Sequence, residues 1–237
     1  MNEAARAAPV ESFAYLEALA AAAAAALGDR LAEVLSLPVV RARFAVSGGS
    51  TPARTYQHLA QVPIDWGRVD MTLTDERWVE PDSPDSNERM VRETLLTGPA
   101  ARSVFHPLWS DAPDPETGAL QAGGVVRERL LPLDLLLLGM GEDGHVASLF
   151  PGSPALTQGL DPEGERLCIA VPPGQPAPSL ARLSLTLRAL LASKMIVLLI
   201  AGEAKRQVVE RAAAGEALPV SALLLQDRAP VHILWAP

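Results

Sequence analysis

Six short apolar runs, at 44–46, 69–73, 135–138, 167–171, 195–201 and 231–235, set the tightest limit on how this chain can fold. Several are continuous rather than alternating, and 135–138 is four leucines in a row. A strand that is apolar on successive residues has both of its faces covered. Helical patterns fall between the runs, at 52–61, 87–96, 116–130 and 204–214. A longer Ala-, Leu- and Glu-rich stretch at 10–35 precedes them, and its Phe13, Leu16, Leu19, Leu27, Leu31 and Leu35 can share one broad face. Strands alternating with helices predict an α/β sandwich around a mostly parallel sheet. The loops at 81–85, 113–117 and 172–178 are Pro-rich turns and none reads as a linker. The 237 residues are therefore expected to form a single domain over 1–237.

With 20 Lys and Arg against 28 Asp and Glu, the net charge is −8. That balance argues against nucleic acid or an anionic membrane as principal partner. It leaves room for a phosphate ligand, which a local cluster of cations and backbone N–H groups can hold. One cysteine, Cys168, excludes an intramolecular disulfide framework and any Cys-rich zinc site, and it suits a reducing cytoplasm. No segment reaches the roughly 18 apolar residues of a membrane span. The alanine run at 20–26 lacks large apolar side chains, and Glu3, Arg6, Glu11 and Glu17 precede it. It reads as helix and not as a signal peptide, so the expected location is cytoplasmic.

Four segments carry possible chemistry. Ser47-Gly48-Gly49-Ser50-Thr51-Pro52 follows the first apolar strand and opens a helix, with Ser50 or Thr51 as the expected N-cap. Free N–H groups there favour an anion, although a plain strand-to-helix turn has the same look. Asp75-Glu76-Arg77 follows the strand at 69–73, where α/β sheets bind ligands; a surface ion pair is the ordinary alternative. Beyond it, Asp85 and Ser86 read as caps, with Asp85 and Glu88 spaced as a capping box. Gly139-Met140-Gly141-Glu142-Asp143-Gly144-His145 follows the leucine strand, and His145 is the best general-base candidate. His58 in a helix, His106 in a Pro-flanked loop and His232 in the last strand read as structural. In the last third, Arg182, Lys194 and Lys205 are candidate anion ligands.

Taken in order, these segments resemble the 6-phosphogluconolactonase family. Ser-Gly-Gly-Ser-Thr-Pro also marks the wider superfamily with the glucosamine-6-phosphate deaminases. Asp-Glu-Arg at 75–77 and Gly-Met-Gly-Glu-Asp-Gly-His-Val-Ala-Ser-Leu-Phe-Pro at 139–151 are far more specific. The resemblance implies a Rossmann-like α/β/α fold. It implies hydrolysis of 6-phospho-D-glucono-1,5-lactone to 6-phosphogluconate in the oxidative pentose phosphate pathway, with no metal or organic cofactor. It also implies site roles. His145 would be the base, Asp143 its orienter, and Asp75 a ligand of sugar hydroxyls. Arg77 would stabilise charge at the lactone or orient the sugar. Ser47, Gly48, Gly49, Ser50 and Thr51, with Lys205 and Arg182 or Lys194, would grip the phosphate. Two alternatives are a deaminase-like isomerase and a non-catalytic phosphosugar-binding domain. The deaminase pattern has Glu where this chain has Phe150 and Tyr where it has Arg77. The binding domains carry a DNA-binding helix pair, for which the acidic N-terminal helix offers no basic face.

Overall fold

The computed structural model describes residues 9–174 and 179–237. The polar lead with Glu3 and Arg6, and part of the 172–178 loop, lie outside the described residues. The strands are β1 (Val10–Ser12), β2 (Ala42–Val46), β3 (Val69–Leu73), β4 (Asp75–Arg77), β5 (Val104–His106), β6 (Leu135–Leu138), β7 (Cys168–Val171), β8 (Arg182–Leu185), β9 (Ile196–Ala201) and β10 (Val231–Ala236). The helices are α1 (Leu16–Leu35), α2 (Ser50–Leu59), α3 (Asn87–Thr94), α4 (Pro115–Val125), α5 (Leu156–Gly159), α6 (Leu187–Leu191), α7 (Glu203–Ala213) and α8 (Pro219–Leu224). Among the described residues, no helix is long and apolar enough to cross a membrane.

Seven strands form one sheet in the order β1-β10-β9-β6-β2-β3-β5, and every pairing in it is parallel. This is the mostly parallel α/β arrangement expected from the alternating pattern, and the Rossmann-like fold that the resemblance implies. All four leucines of β6 are fully buried at the centre of the sheet, which is why that strand reads as an unbroken apolar run. Each contributes roughly 1.5–3 kcal/mol of burial. α1 turns Leu19, Ala23, Leu27 and Leu31 into the same core.

The structure corrects the sequence reading in several places. Val10–Ser12 is not the start of the first helix; it pairs with β10 as an edge strand. His106 lies in an edge strand beside β3 and not in a loop. The 167–171 run belongs to a second, antiparallel sheet of order β4-β8-β7. Helix α4 ends at Val125 and continues as a wider turn over Val126–Leu130. α2 begins at Ser50 with Gly49 as its N-cap, so neither Ser50 nor Thr51 caps it. Gly49 has φ +116°, which lets the chain enter the helix a residue earlier than a side-chain cap would. Ser86, and not Asp85, caps α3, accepting from the Arg89 N–H at 3.1 Å. Glu88 instead pairs with Arg92, as an i,i+4 neighbour would.

Three neighbouring strands are tied together through Asp70 of β3. Its carboxylate accepts from Arg41 Nε at 2.5 Å, just before β2, and from His106 Nε2 of β5 at 3.0 Å. Burial alone would raise the Asp70 pKa; the bonds to Arg41 and His106 outweigh it and hold the carboxyl below its usual range. A depressed carboxyl adds stability above its unfolded pKa, and that stability is lost as pH falls through the folded value. Asp70→Asn is therefore expected to be less stable than the wild type at neutral pH. The gap should close as pH falls below about 4. Denaturant midpoints measured at several pH values check this; a gap that stays constant into acid would contradict it.

Candidate active site

The carboxyl ends of β2, β3, β6 and β9 open onto one cleft of about 270 Å³. On its floor is the turn after β2. Ser47 Oγ lies 2.8 Å from Thr74 Oγ1 and 3.1 Å from the Leu137 carbonyl oxygen, and Tyr56 donates its hydroxyl to the Ser47 carbonyl at 2.6 Å. Burial pushes the Tyr56 pKa up, so the phenol stays protonated and keeps donating. These bonds pin the turn to two neighbouring strand ends and to α2. Gly48 is required there because a Cβ would run into the Asn87 amide. No side chain caps α2. The Ser50 and Thr51 N–H groups therefore lack intrahelical partners at a helix end that carries partial positive charge. Ser47, Gly48, Gly49, Ser50 and Thr51 all line the cleft.

One wall is built around a buried carboxylate. Glu76 accepts from the Arg77, Asn87 and Glu88 N–H groups, each at 2.7 Å, and from Ser86 Oγ at 3.0 Å. The surface ion pair among residues 75–77 does not form; Glu76 points inward and holds the start of α3. Burial pushes its pKa above the ordinary carboxylate value, against the pull of those bonds. Asn87 then donates to the Asp75 carbonyl at 2.8 Å and accepts from Arg77 Nη1. Asn87 lines the cleft, and sequence alone marks it only as the residue after a helix cap. Asp75 is buried, with Oδ2 accepting from Ser148 Oγ at 2.5 Å and Oδ1 from Thr74 Oγ1 at 3.2 Å. It thus ties the end of the 139–147 loop to β4.

His145 sits on that loop. Its Nδ1 is 2.6 Å from Asp143 Oδ1, which also accepts the His145 backbone N–H at 3.1 Å. A carboxylate at Nδ1 holds the proton on that nitrogen and leaves the Nε2 lone pair available. Burial alone would raise the Asp143 pKa, but the bonds and charge of His145 outweigh it and keep the carboxyl ionised. The loop turns back closely on itself: a side chain at Gly141 would collide with the imidazole. Ala147, beyond it, takes the left-handed region at φ +49° and also lines the cleft. Cys168 takes no part. It is buried in the small sheet, where burial pushes its thiol up to about 12.

The remaining cleft groups are cationic. Arg77 and Arg182 face each other across the β4–β8 pair. The Arg182 guanidinium makes no hydrogen bond or ion pair with any described residue, and burial, with Arg77 opposite, holds its pKa below the usual value against the pull of Asp75. Arg77 Nε is buried without a partner. Lys205, in the first turn of α7, also lines the cleft. Lys194 does not. It precedes β9, at the opposite end of the sheet, where it donates to Asp134 at 2.7 Å. The sequence expectation for Lys194 is corrected on that ground.

Among the described residues, no group of three or more His, Cys, Asp or Glu is arranged to hold a metal ion. The cleft instead pairs an oriented imidazole with a wall of cations and an uncapped helix. Fold and cleft together define a Rossmann-like α/β protein equipped for proton transfer on a small anionic ligand. The chain belongs to the family described as glucosamine-6-phosphate isomerases/6-phosphogluconolactonase, whose family model matches residues 15–235. It is 46% identical over 227 residues to a 6-phosphogluconolactonase of Caulobacter vibrioides, covering 96% of this chain and 97% of that one. It is 42% identical over 200 residues to one of Pseudomonas aeruginosa, covering 83% and 82%. A crystal structure of a 6-phosphogluconolactonase from Shewanella baltica superposes with a TM-score of 0.91 at 36% identity, covering 98% of this chain and 99% of that one.

The Glu76 cluster is directly testable. Glu76→Gln sets an amide N–H₂ against two donors that now meet an oxygen. Leaving buried donors unsatisfied costs about 1–3 kcal/mol. The denaturant midpoint should fall accordingly, and an unchanged midpoint would show that the carboxylate does not hold α3.

Proposed function

We propose that this protein hydrolyses 6-phospho-D-glucono-1,5-lactone to 6-phospho-D-gluconate in the pentose phosphate pathway, with His145 as general base. The observation that carries the reading is the 2.6 Å contact between His145 Nδ1 and Asp143, beside a cation-lined cleft. The names of its relatives support the substrate. Its single, buried Cys168 suits work in the cytoplasm.

Hydrolysis begins with a water above the lactone carbonyl carbon. His145 Nε2 takes a proton from that water as its oxygen bonds to C1. The carbonyl becomes a tetrahedral oxyanion, and Asp143 stabilises the imidazolium and fixes its tautomer. Arg77, oriented by Asn87, stabilises the negative charge. The oxyanion then collapses, the bond from C1 to the ring oxygen breaks, and the imidazolium returns its proton to that oxygen. The products are an open-chain carboxylic acid, which ionises, and a regenerated neutral His145. Asp75 keeps Ser148 and the histidine loop in place and has lone pairs left for a sugar hydroxyl. The 48–51 turn, Lys205 and Arg182 hold the phosphate, whose binding positions the lactone for attack. Phe150, where the deaminase pattern has an acid, and Arg77, where it has Tyr, weigh against the isomerase reading.

The test is a lactonase assay on freshly prepared 6-phosphogluconolactone, corrected for spontaneous hydrolysis, on the wild type and on Lys205→Ala. A charge-assisted hydrogen bond to phosphate is worth roughly 1.5–3 kcal/mol. The variant should therefore lose about ten- to a hundredfold in kcat/KM on the phosphorylated lactone and little on unphosphorylated gluconolactone. Equal losses on both would remove Lys205 from the phosphate site. A wild type no faster than the spontaneous reaction would reject the function.

A further inference from the structure

We propose that Phe150 is a positioning residue for this reaction, the side chain that sets His145 and Arg182 in register with one another. The inference rests on the lactonase reading and adds a residue to it. The Phe150 ring centroid lies 4.4 Å from that of the His145 imidazole, with the planes at 49°. The Arg182 guanidinium carbon lies 5.1 Å from the same centroid. One phenyl ring therefore touches both cleft groups that come from separate elements, the 139–147 loop and β8.

Each group depends on the ring in a different way. The His145 imidazole is hydrogen-bonded at Nδ1 only, to Asp143. A single bond leaves the ring plane free to swing about it, and the phenyl packing removes that freedom. Arg182 is buried and its guanidinium has neither hydrogen bond nor ion pair among the described residues. The aromatic face, attractive to a cation, is what orients it before a ligand arrives. Ser148 N–H donates to Ser184 Oγ at 3.1 Å and ties the backbone at the loop's end to β8; at the side-chain level, Phe150 is what contacts the imidazole and the guanidinium at once. Reacting groups misplaced by an ångström can lose about a hundredfold in rate.

The ring also borders a second cavity, of about 370 Å³, together with Pro151, Val171, Leu180 and Arg182. Phe150→Tyr keeps the aromatic face. Phe150→Leu keeps apolar bulk and removes the aromatic face.

The experiment compares kcat, KM for the phosphorylated lactone, and Tm for the wild type, Phe150→Leu and Phe150→Tyr. Loss of the register predicts about a tenfold lower kcat in Phe150→Leu. Loss of the cation–aromatic contact predicts a KM raised about two- to thirtyfold. Phe150→Tyr should restore both to within about twofold of the wild type, an order-of-magnitude expectation for a retained ring. A purely structural Phe150 predicts a lower Tm with kcat and KM of the folded Leu variant unchanged, and that result overturns the inference while leaving the lactonase reading intact. Absence of activity in the wild type overturns both. Should Phe150→Leu fail to fold, fluorinated phenylalanines placed at 150 keep the shape and weaken the ring's pull on a cation. A stepwise fall in kcat/KM with fluorine number then supports the inference, and a flat series overturns it.

Discussion

The buried carboxylate of Glu76 is the constraint on which the cleft depends. Its four hydrogen bonds close the start of α3 onto β4. That closure places Asn87 where it can hold Arg77 and the Asp75 backbone at once. The same amide fills the space that makes residue 48 a glycine. A carboxylate taken out of water is costly unless its lone pairs are satisfied. Here all four donors come from groups that would otherwise be unpartnered at a helix start or strand end. One interaction thus solves a folding problem and orders two cleft walls.

The cleft concentrates positive charge on a chain of net charge −8. Arg77 and Arg182 are held opposite each other, and Lys205 and the α2 N-terminus add to them. Like charges kept close in a partly buried cleft store repulsion that an anionic ligand relieves. Asp75, held by the Ser148 and Thr74 hydroxyls, is one carboxylate against these three cations. His145, held at Nδ1 by Asp143, lines the same cleft as these cations.

The central sheet is legible in the sequence because its inner strands are covered on both faces. Burial of every residue in β6 leaves a continuous apolar signature, while in β3 the buried Asp70 and Thr72 alternate with Val69, Met71 and Leu73. The edges are not legible that way. β1 and β5 are three residues long and partly exposed, so their composition follows solvent rather than core. The small sheet hides for a different reason: β4 is Asp-Glu-Arg, whose Asp75 and Arg77 line the cleft and whose Glu76 holds α3, and neither role shows in a strand pattern. Most cleft residues were visible because they follow strands at the carboxyl edge. Lys194 lies away from the cleft because it precedes its strand, a full strand length from the carboxyl edge. Asn87 escapes a sequence reading because an amide at a helix start carries no chemical signal until its neighbours are known, and Phe150 shows in the sequence only as a departure from the deaminase pattern.

The most direct test of the account is the turnover of His145→Asn on freshly prepared 6-phosphogluconolactone, measured with its Tm and its affinity for 6-phosphogluconate. Asparagine keeps approximate size and polarity but takes no proton near neutral pH. A general base contributes roughly 10²–10⁴-fold to rate. The account predicts a loss of kcat of that order, with fold and product affinity nearly unchanged. A folded His145→Asn protein with near-normal kcat would contradict it.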